Sequence, residues 1–274
     1  MTSDTPRDLS PLSTKGFHIE FHCHAKAILS VDFPEALADL EAALANLSIP
    51  IEEIIAGGGG EAKGTQRLRK ALNVLNWVKT KFEIKKTINN RERESISHEI
   101  DHVREFTLGT IALEIEWNNK DPFFDRDLEN FKRLHADGAI SVGVIVTRGR
   151  TLQDKMRTLV RRFVDERKIG SFNDLKGWGY EPTAKQRRAI ETRMNRKKKP
   201  LSFQDAFVDK FVSDKFGEAT THWRKLEDRV RRGVGNPCPL VLIGLPDSIV
   251  TFDEGKVALE EVLKNEEPEE DQED

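Results

Sequence analysis

Glu114 and Glu116 stand one residue apart in IALEIEWNNKDPFFDRDL, residues 111–128, inside an otherwise apolar run. Side chains alternate along a strand, so Ile111, Leu113, Ile115 and Trp117 share one face and Glu114, Glu116 and Asn118 the other. The preceding stretch ISHEIDHVR, 96–104, reads as a second strand, joined to the first by a short turn at Leu108 and Gly109. Simple alternation puts Asp101 on the side of Glu99 and Val103, and an antiparallel hairpin brings it beside Glu114. Carboxylates that close are unfavourable unless a cation lies between them. Hard divalent cations such as magnesium choose carboxylate oxygens. A cation held there activates water and stabilises charge developing on a phosphate. The bland alternative is that the acids are the wet face of a sheet, and the short acid-x-acid spacing alone does not exclude it.

The elements that must position these acids follow from hydrophobic period. DRDLENFKRLHAD, 125–137, reads as a helix closed by Gly138, with Asp125 and Asp127 as first-turn acids. AISVGVIVT, 139–147, is apolar throughout, as a doubly covered strand is. A hairpin, a helix and then a buried strand imply a mixed sheet with a crossover helix. FHIEFHCH, 17–24, alternates strictly and reads as a further strand; its three histidines share one face and are read as an exposed polar face rather than a metal site. A helix is expected over 34–46, a basic helix over 65–80, another over 152–168, and a last core strand, PLVLIGLP, over 239–246. The glycines at 57–60 and Gly64 form a loop, without the Lys-Ser or Lys-Thr pair of a phosphate-binding P-loop. The fold class is therefore α/β (α+β), a mixed β-sheet flanked by helices. The expected organisation is a flexible lead-in at 1–16, a core over 17–170 and 236–252, a basic helical insertion at 171–235 and an acidic, disordered tail at 253–274.

Bulk composition narrows the partners. Of 274 residues, 37% are hydrophobic and 33% charged, polar for an enzyme but sufficient for a core. Cys23 and Cys238 match no zinc spacing and suit a reduced, intracellular protein, expected in the cytoplasm. No apolar run approaches the length that spans a membrane, so no membrane partner is expected. The net charge of −3 conceals a segregation: residues 148–236 hold 24 Lys and Arg against 12 Asp and Glu, while 253–274 hold 11 acids against two lysines. A basic block of that size suits a phosphate backbone, or else a set of solvated helix faces. Trp178 and Trp223 within it read as core residues rather than stacking platforms.

Taken together, the Ile-Asp dipeptide at 100–101, the Glu-x-Glu of 114–116, the aromatic and asparagines that follow, the arginine-bearing helix and VGVIVTRG resemble the BglII/BamHI group of type II restriction endonucleases, within the PD-(D/E)xK nuclease superfamily. The likeness covers roughly residues 96–150. It implies that Asp101 and Glu114 bind Mg2+. It also implies that Glu116 stands where most of the superfamily carries lysine, so that Glu116 or the metal alone takes the proton from the attacking water; Lys120 lies too far along to replace it. Glu83 is a possible extra acid. Asn118, Asn119 and Arg126 fall where relatives contact DNA, and Arg148 and Arg150 leave the apolar strand beside the site; each is a base reader, a phosphate clamp or a helix cap. The implied partner is double-stranded DNA, cut at a palindrome by a homodimer whose interface involves helix 125–137, leaving 5′-phosphate ends; a GATC core is the site suggested by analogy. Two other readings stay open on sequence: a structure-specific DNA-repair nuclease on the same core, and a non-enzymatic DNA-binding regulator.

Overall fold

The computed structural model describes residues 8–56 and 61–252. The glycine run 57–60, the acidic tail and the first residues of the lead-in lie outside that range. In chain order the elements are α1 (Ser10–Thr14), β1 (His18–His22), α2 (Ala25–Asp32), α3 (Pro34–Ala45), β2 (Ile49–Pro50), α4 (Ile51–Ile55), α5 (Lys63–Val74), β3 (Val78–Ile88), β4 (Arg91–Phe106) and β5 (Gly109–Glu116). They continue with α6 (Phe123–Ala136), β6 (Val142–Arg148), α7 (Arg150–Glu166), α8 (Phe172–Lys176), α9 (Ala184–Met194), α10 (Phe203–Lys215), α11 (Trp223–Arg231), β7 (Leu240–Leu245) and β8 (Val250–Thr251).

A six-stranded sheet, ordered β1-β7-β6-β5-β4-β3, is the frame of the site. β5, β6 and β7 are mutually parallel, while β1, β4 and β3 pair antiparallel with their neighbours. This is the mixed sheet the sequence implied, and the apolar VGVIVTR is buried at every position because β6 is internal. Helix α6 links β5 to β6. Its residues Phe124, Leu128, Phe131 and Leu134 recur at three- and four-residue spacing and are fully buried, packing with Ala112, Val103 and Ile145 of the sheet. The approach is close enough that a Cβ on Gly143 would collide with the ring of Phe131. Gly138 closes the helix region with φ +71°, as its position in the sequence demanded.

Three expectations are corrected. Residues 75–80, read as the end of a basic helix, instead turn at Asn76 and open β3, a strand whose charges made it look helical. Lys79, Lys81, Glu83 and Lys85 alternate with Phe82 and Ile84, and those two pack on the core. The second correction concerns β4. Its register against β3 shifts between Val78–Val103 and Thr80–Ile100, so Asp101 and His102 together face the single residue Lys79. This bulge breaks the simple alternation: Ile100 joins Val103 in the core, and Glu99 instead meets Lys79 at 2.7 Å.

The third concerns the insertion. The described residues form two compact units, one drawn from Met1–Leu47, Thr65–Gln153 and Glu218–Ser248, the other from Ser48–Gly64, Asp154–Gly217 and the residues from Ile249 on. Helix α11, expected within the insertion, belongs to the first unit because Trp223, Leu226 and Val230 are buried in the core beneath the sheet. The second unit has its own aromatic core. Phe203, Phe207 and Phe211 recur once per turn of α10, and Tyr180 meets Phe211 at 5.3 Å. Side-chain caps start α8 at Ser171, α9 at Thr183 and α10 at Ser202. Trp178 and Trp223 are both buried. Cys23 and Cys238 are free thiols.

Candidate active site

Ala112, Glu114 and Glu116 lie on the same face of β5, and Ala112 shows that this face looks towards α6. The two glutamates therefore prolong a row of core positions, with only 3% and 2% of their surface exposed. Across from them α6 contributes Asp127, which is fully buried and occupies the same helical stripe as Phe124, Leu128 and Phe131. The β4–β5 ladder ends at His102 opposite Leu113; continuing it by one residue sets Asp101 opposite Glu114, at the bulge. Asp101 remains exposed.

Burial of like charges dominates the electrostatics. Desolvation pushes the Glu114 carboxyl well above its ordinary range, and the neighbouring charges of Asp127, Asp101 and Glu116 push it further. Glu116 is raised to about 8, first by burial and then by Asp127, against a stabilising hydrogen bond from Asn119. Asp127 is raised by burial and partly restored by Arg126. Arg126 is the cation at the cluster. Its Nε and Nη2 both donate to Asp127 Oδ1, at 2.9 and 2.8 Å, and Nη2 stands 3.7 Å from Glu116 Oε1. The guanidinium also lies 4.4 Å above the ring of Phe123. Asn119 Nδ2 donates to Glu116 Oε2 at 2.9 Å. Asp127 Oδ2 is buried and receives no N–H donor; the neighbouring carboxyl of Glu116 is the group that serves it when protonated.

The chain leaving β5 is clamped. Thr147 Oγ1 donates to the Glu116 carbonyl at 2.7 Å, and Arg148 Nε to the Trp117 carbonyl at 2.7 Å. Arg148 also donates to Gln153 Oε1, Thr220 Oγ1 and the Thr221 carbonyl, at 2.6, 2.7 and 2.6 Å. Thr221 N–H closes the arrangement on the Asn119 carbonyl at 2.8 Å. Arg148 is fully buried, and desolvation lowers its pKa to about 9. Expected at the DNA surface, it is instead an internal hub, because its donors are turned inward to carbonyls and hydroxyls of this chain. Arg150 is partly exposed and pairs with Glu227. It also lines a pocket of about 240 Å³ with His18, Gly149 and Thr151, at the carboxyl ends of β6 and β7 rather than at the acids.

The structure thus brings Asp101, Glu114, Glu116, Asn119 and Arg126 to one end of β5. Asn118 is exposed beside them. Glu83 is not part of the group: it is exposed, faces Ser97 four residues before Asp101, and lies 3.6 Å from Lys85. Asp127 was missed as a site residue because acids are favoured in a first helical turn. The available signal was its place on an otherwise apolar stripe. Lys79 was missed with β3; its ammonium feels Asp101 and Glu114 as well as its partner Glu99.

Among the described residues no three His, Cys, Asp or Glu side chains converge closely enough to hold a metal ion as they stand. The donor set nonetheless fits a hard divalent cation. It consists of carboxylate oxygens, it includes a buried oxygen without an N–H partner, and burial and mutual repulsion raise the pKa of its members, which a cation would relieve.

The edge carrying these acids is the carboxyl end of parallel strands, with a βαβ unit behind it. A search of curated proteins gives no match. The family model for restriction endonuclease BglII/BglIII matches residues 17–245, which include β1, the acids, the clamp and β7. The chain belongs to the BglII/BglIII family of restriction endonucleases and is a type II site-specific deoxyribonuclease.

Proposed function

We propose that the enzyme hydrolyses both strands of a short palindromic DNA site in a magnesium-dependent reaction, with Asp101 and Glu114 holding the ion, and leaves 5′-phosphate ends. The observation that carries this reading is the cluster of Glu114, Glu116 and Asp127, buried together at the end of β5 with Asp101 one register step away. So many desolvated carboxylates in one place are unfavourable for stability alone and favourable for holding a cation beside a phosphate. Magnesium, when bound, supplies stabilisation of the negative charge that builds at phosphorus and on the leaving 3′-oxygen.

The chain's own groups do the rest. Glu116 occupies the place of the lysine common in this superfamily, and it acts as the proton acceptor for the attacking water. Burial raises its affinity for a proton above that of an exposed carboxylate, and its neighbour Asp127 shares the proton it gains. Asn119 fixes the orientation of the Glu116 carboxylate through Oε2. Arg126 balances the acids in the absence of substrate and, half-exposed, stands where a phosphate arrives. Asn118 and Arg150 face solvent at the same edge and are the remaining candidates for DNA contact. Two copies related by a two-fold axis answer a two-fold site, so the enzyme acts as a homodimer.

Plasmid digestion with magnesium, followed by sequencing of the ends, tests the reading. Discrete fragments with uniform 5′-phosphate ends are expected, and a smear or cleavage confined to branched junctions defeats it. Glu114→Ala should lose about 10³-fold or more in cleavage, the scale of removing an electrostatic catalyst, while duplex binding in calcium is retained.

A further inference from the structure

The basic residues of 148–236 are not equivalent once folded. Within the second unit, Arg157 pairs with Asp209, Arg161 with Asp165 and Asp205, Arg162 with Glu166, Arg167 with Glu52 and Lys210 with Asp214. Those charges are neutralised at home. Lys185, Arg188, Arg196, Lys197, Lys198 and Lys199 are different: all are exposed, and none has an ion pair with a described residue. Lys185, Arg188 and Thr192 recur at three- and four-residue spacing on α9, on the face opposite the buried Ile190. The turn after α9 carries the exposed Arg196 to Lys199.

We propose that this stripe is a docking surface for the phosphate backbone of duplex DNA outside the base pairs that are cut, contributing affinity without reading sequence. The inference rests on the DNA-cleaving function and adds a second place of contact to it. Six like charges within fifteen residues, two on α9 and four in the turn after it, repel one another until anions neutralise them. A duplex presents a negative charge about every 1.7 Å of its axis. Lysine predominates in the turn, and as a flexible point charge it suits phosphate contact rather than the two-pronged recognition of a base edge. No aromatic residue lies within 184–202, as a stacking platform for single strands would require. The opposite face is occupied by the core, so an apolar partner finds nothing to bury.

The test uses the full chain with Arg196, Lys197, Lys198 and Lys199 all changed to Ser, calcium in place of magnesium, and a random-sequence duplex followed by fluorescence anisotropy over a range of salt. Circular dichroism establishes that the variant is folded. The slope of log affinity against log salt should fall by up to about 3.6, near 0.9 for each of the four phosphates that the variant leaves unneutralised. Affinity should drop at least about tenfold, while single-turnover plasmid cleavage at saturating enzyme keeps its rate. An unchanged slope and affinity would overturn the proposal. It also fails if the variant binds DNA like its parent and loses only the response to removal of 253–274, for then the turn serves that acidic segment. If the parent itself cuts nothing, the nuclease mechanism falls, but the salt slope needs no chemistry and still decides the matter of the stripe.

Discussion

At Glu116 burial and a neighbouring carboxylate act on one side chain. Its carboxyl is raised from 4.5 to about 8, so the folded state holds a proton there that the unfolded chain releases near pH 4.5. Stability from this source is fully present below pH 4.5 and is lost as pH rises through 8. Thermal melts in a chelator should therefore show stability falling between pH 5.5 and pH 8.5, by on the order of 3 kcal/mol. Added magnesium should reverse the loss at the higher pH. Glu116→Gln should make the profile shallower, leaving the part due to Glu114 and Asp127, and unchanged steepness would assign the effect to those two. Asp127→Asn removes a buried charge from beside Glu116. It should bring the pH dependence of cleavage down towards that of an ordinary carboxylate while lowering the rate, a combination that loss of fold alone does not produce.

At the scale of elements, the end of β5 is held by a clamp rather than by the sheet alone. Arg148 joins β6, the start of α7 and the 220–221 segment to the Trp117 carbonyl. Arg148→Met should destabilise the protein by about 3–5 kcal/mol, since it strips several buried carbonyls and hydroxyls of their donor. Arg148→Lys retains the charge but cannot reach four acceptors. It should fold, bind DNA with nearly parental affinity and cleave more slowly, because the segment carrying Asn119 and the Glu116 carbonyl is no longer pinned. Equal losses of binding and cleavage in the lysine variant would assign Arg148 to DNA contact after all. The bulge in β4 belongs at this scale too. By opposing two residues to Lys79 it turns Ile100 into the core and leaves Asp101 exposed at the site. Neither placement follows from strict alternation.

For the whole molecule, a palindromic site cut on both strands requires two active sites. Sedimentation in the presence of a cognate duplex in calcium should show two copies per duplex, and one copy per duplex would refute the homodimer. None of the described helices is long and apolar enough to cross a membrane. The net charge of −3 is a poor guide to the partner, since many cations are consumed in local ion pairs while six without an ion pair among the described residues lie on α9 and the turn after it.

Strands β1, β5, β6 and β7 and helices α3, α6 and α7 were legible in the sequence because each carries a strong hydrophobic period of its own. The family was legible for a related reason: particular residue types at local spacings carry it, the Glu-x-Glu pair and the Ile-Asp dipeptide among them. β3 was not legible, since its lysines are as compatible with an exposed helix as with an edge strand, and only pairing with β4 selects the strand. The place of α11 beneath the sheet, the inward turn of Arg148 and the partnership of Asp127 with Glu116 are long-range matters. They join residues 11 to more than 70 positions apart, and no local period encodes which distant face a side chain will meet. The sequence by itself determined the family and set Glu114 and Glu116 on one strand face, with Asp101 nearby, as candidates for holding a cation. The tertiary structure decided which of them are brought together, because burial and register, not residue type, set how closely carboxylates are forced to share one space.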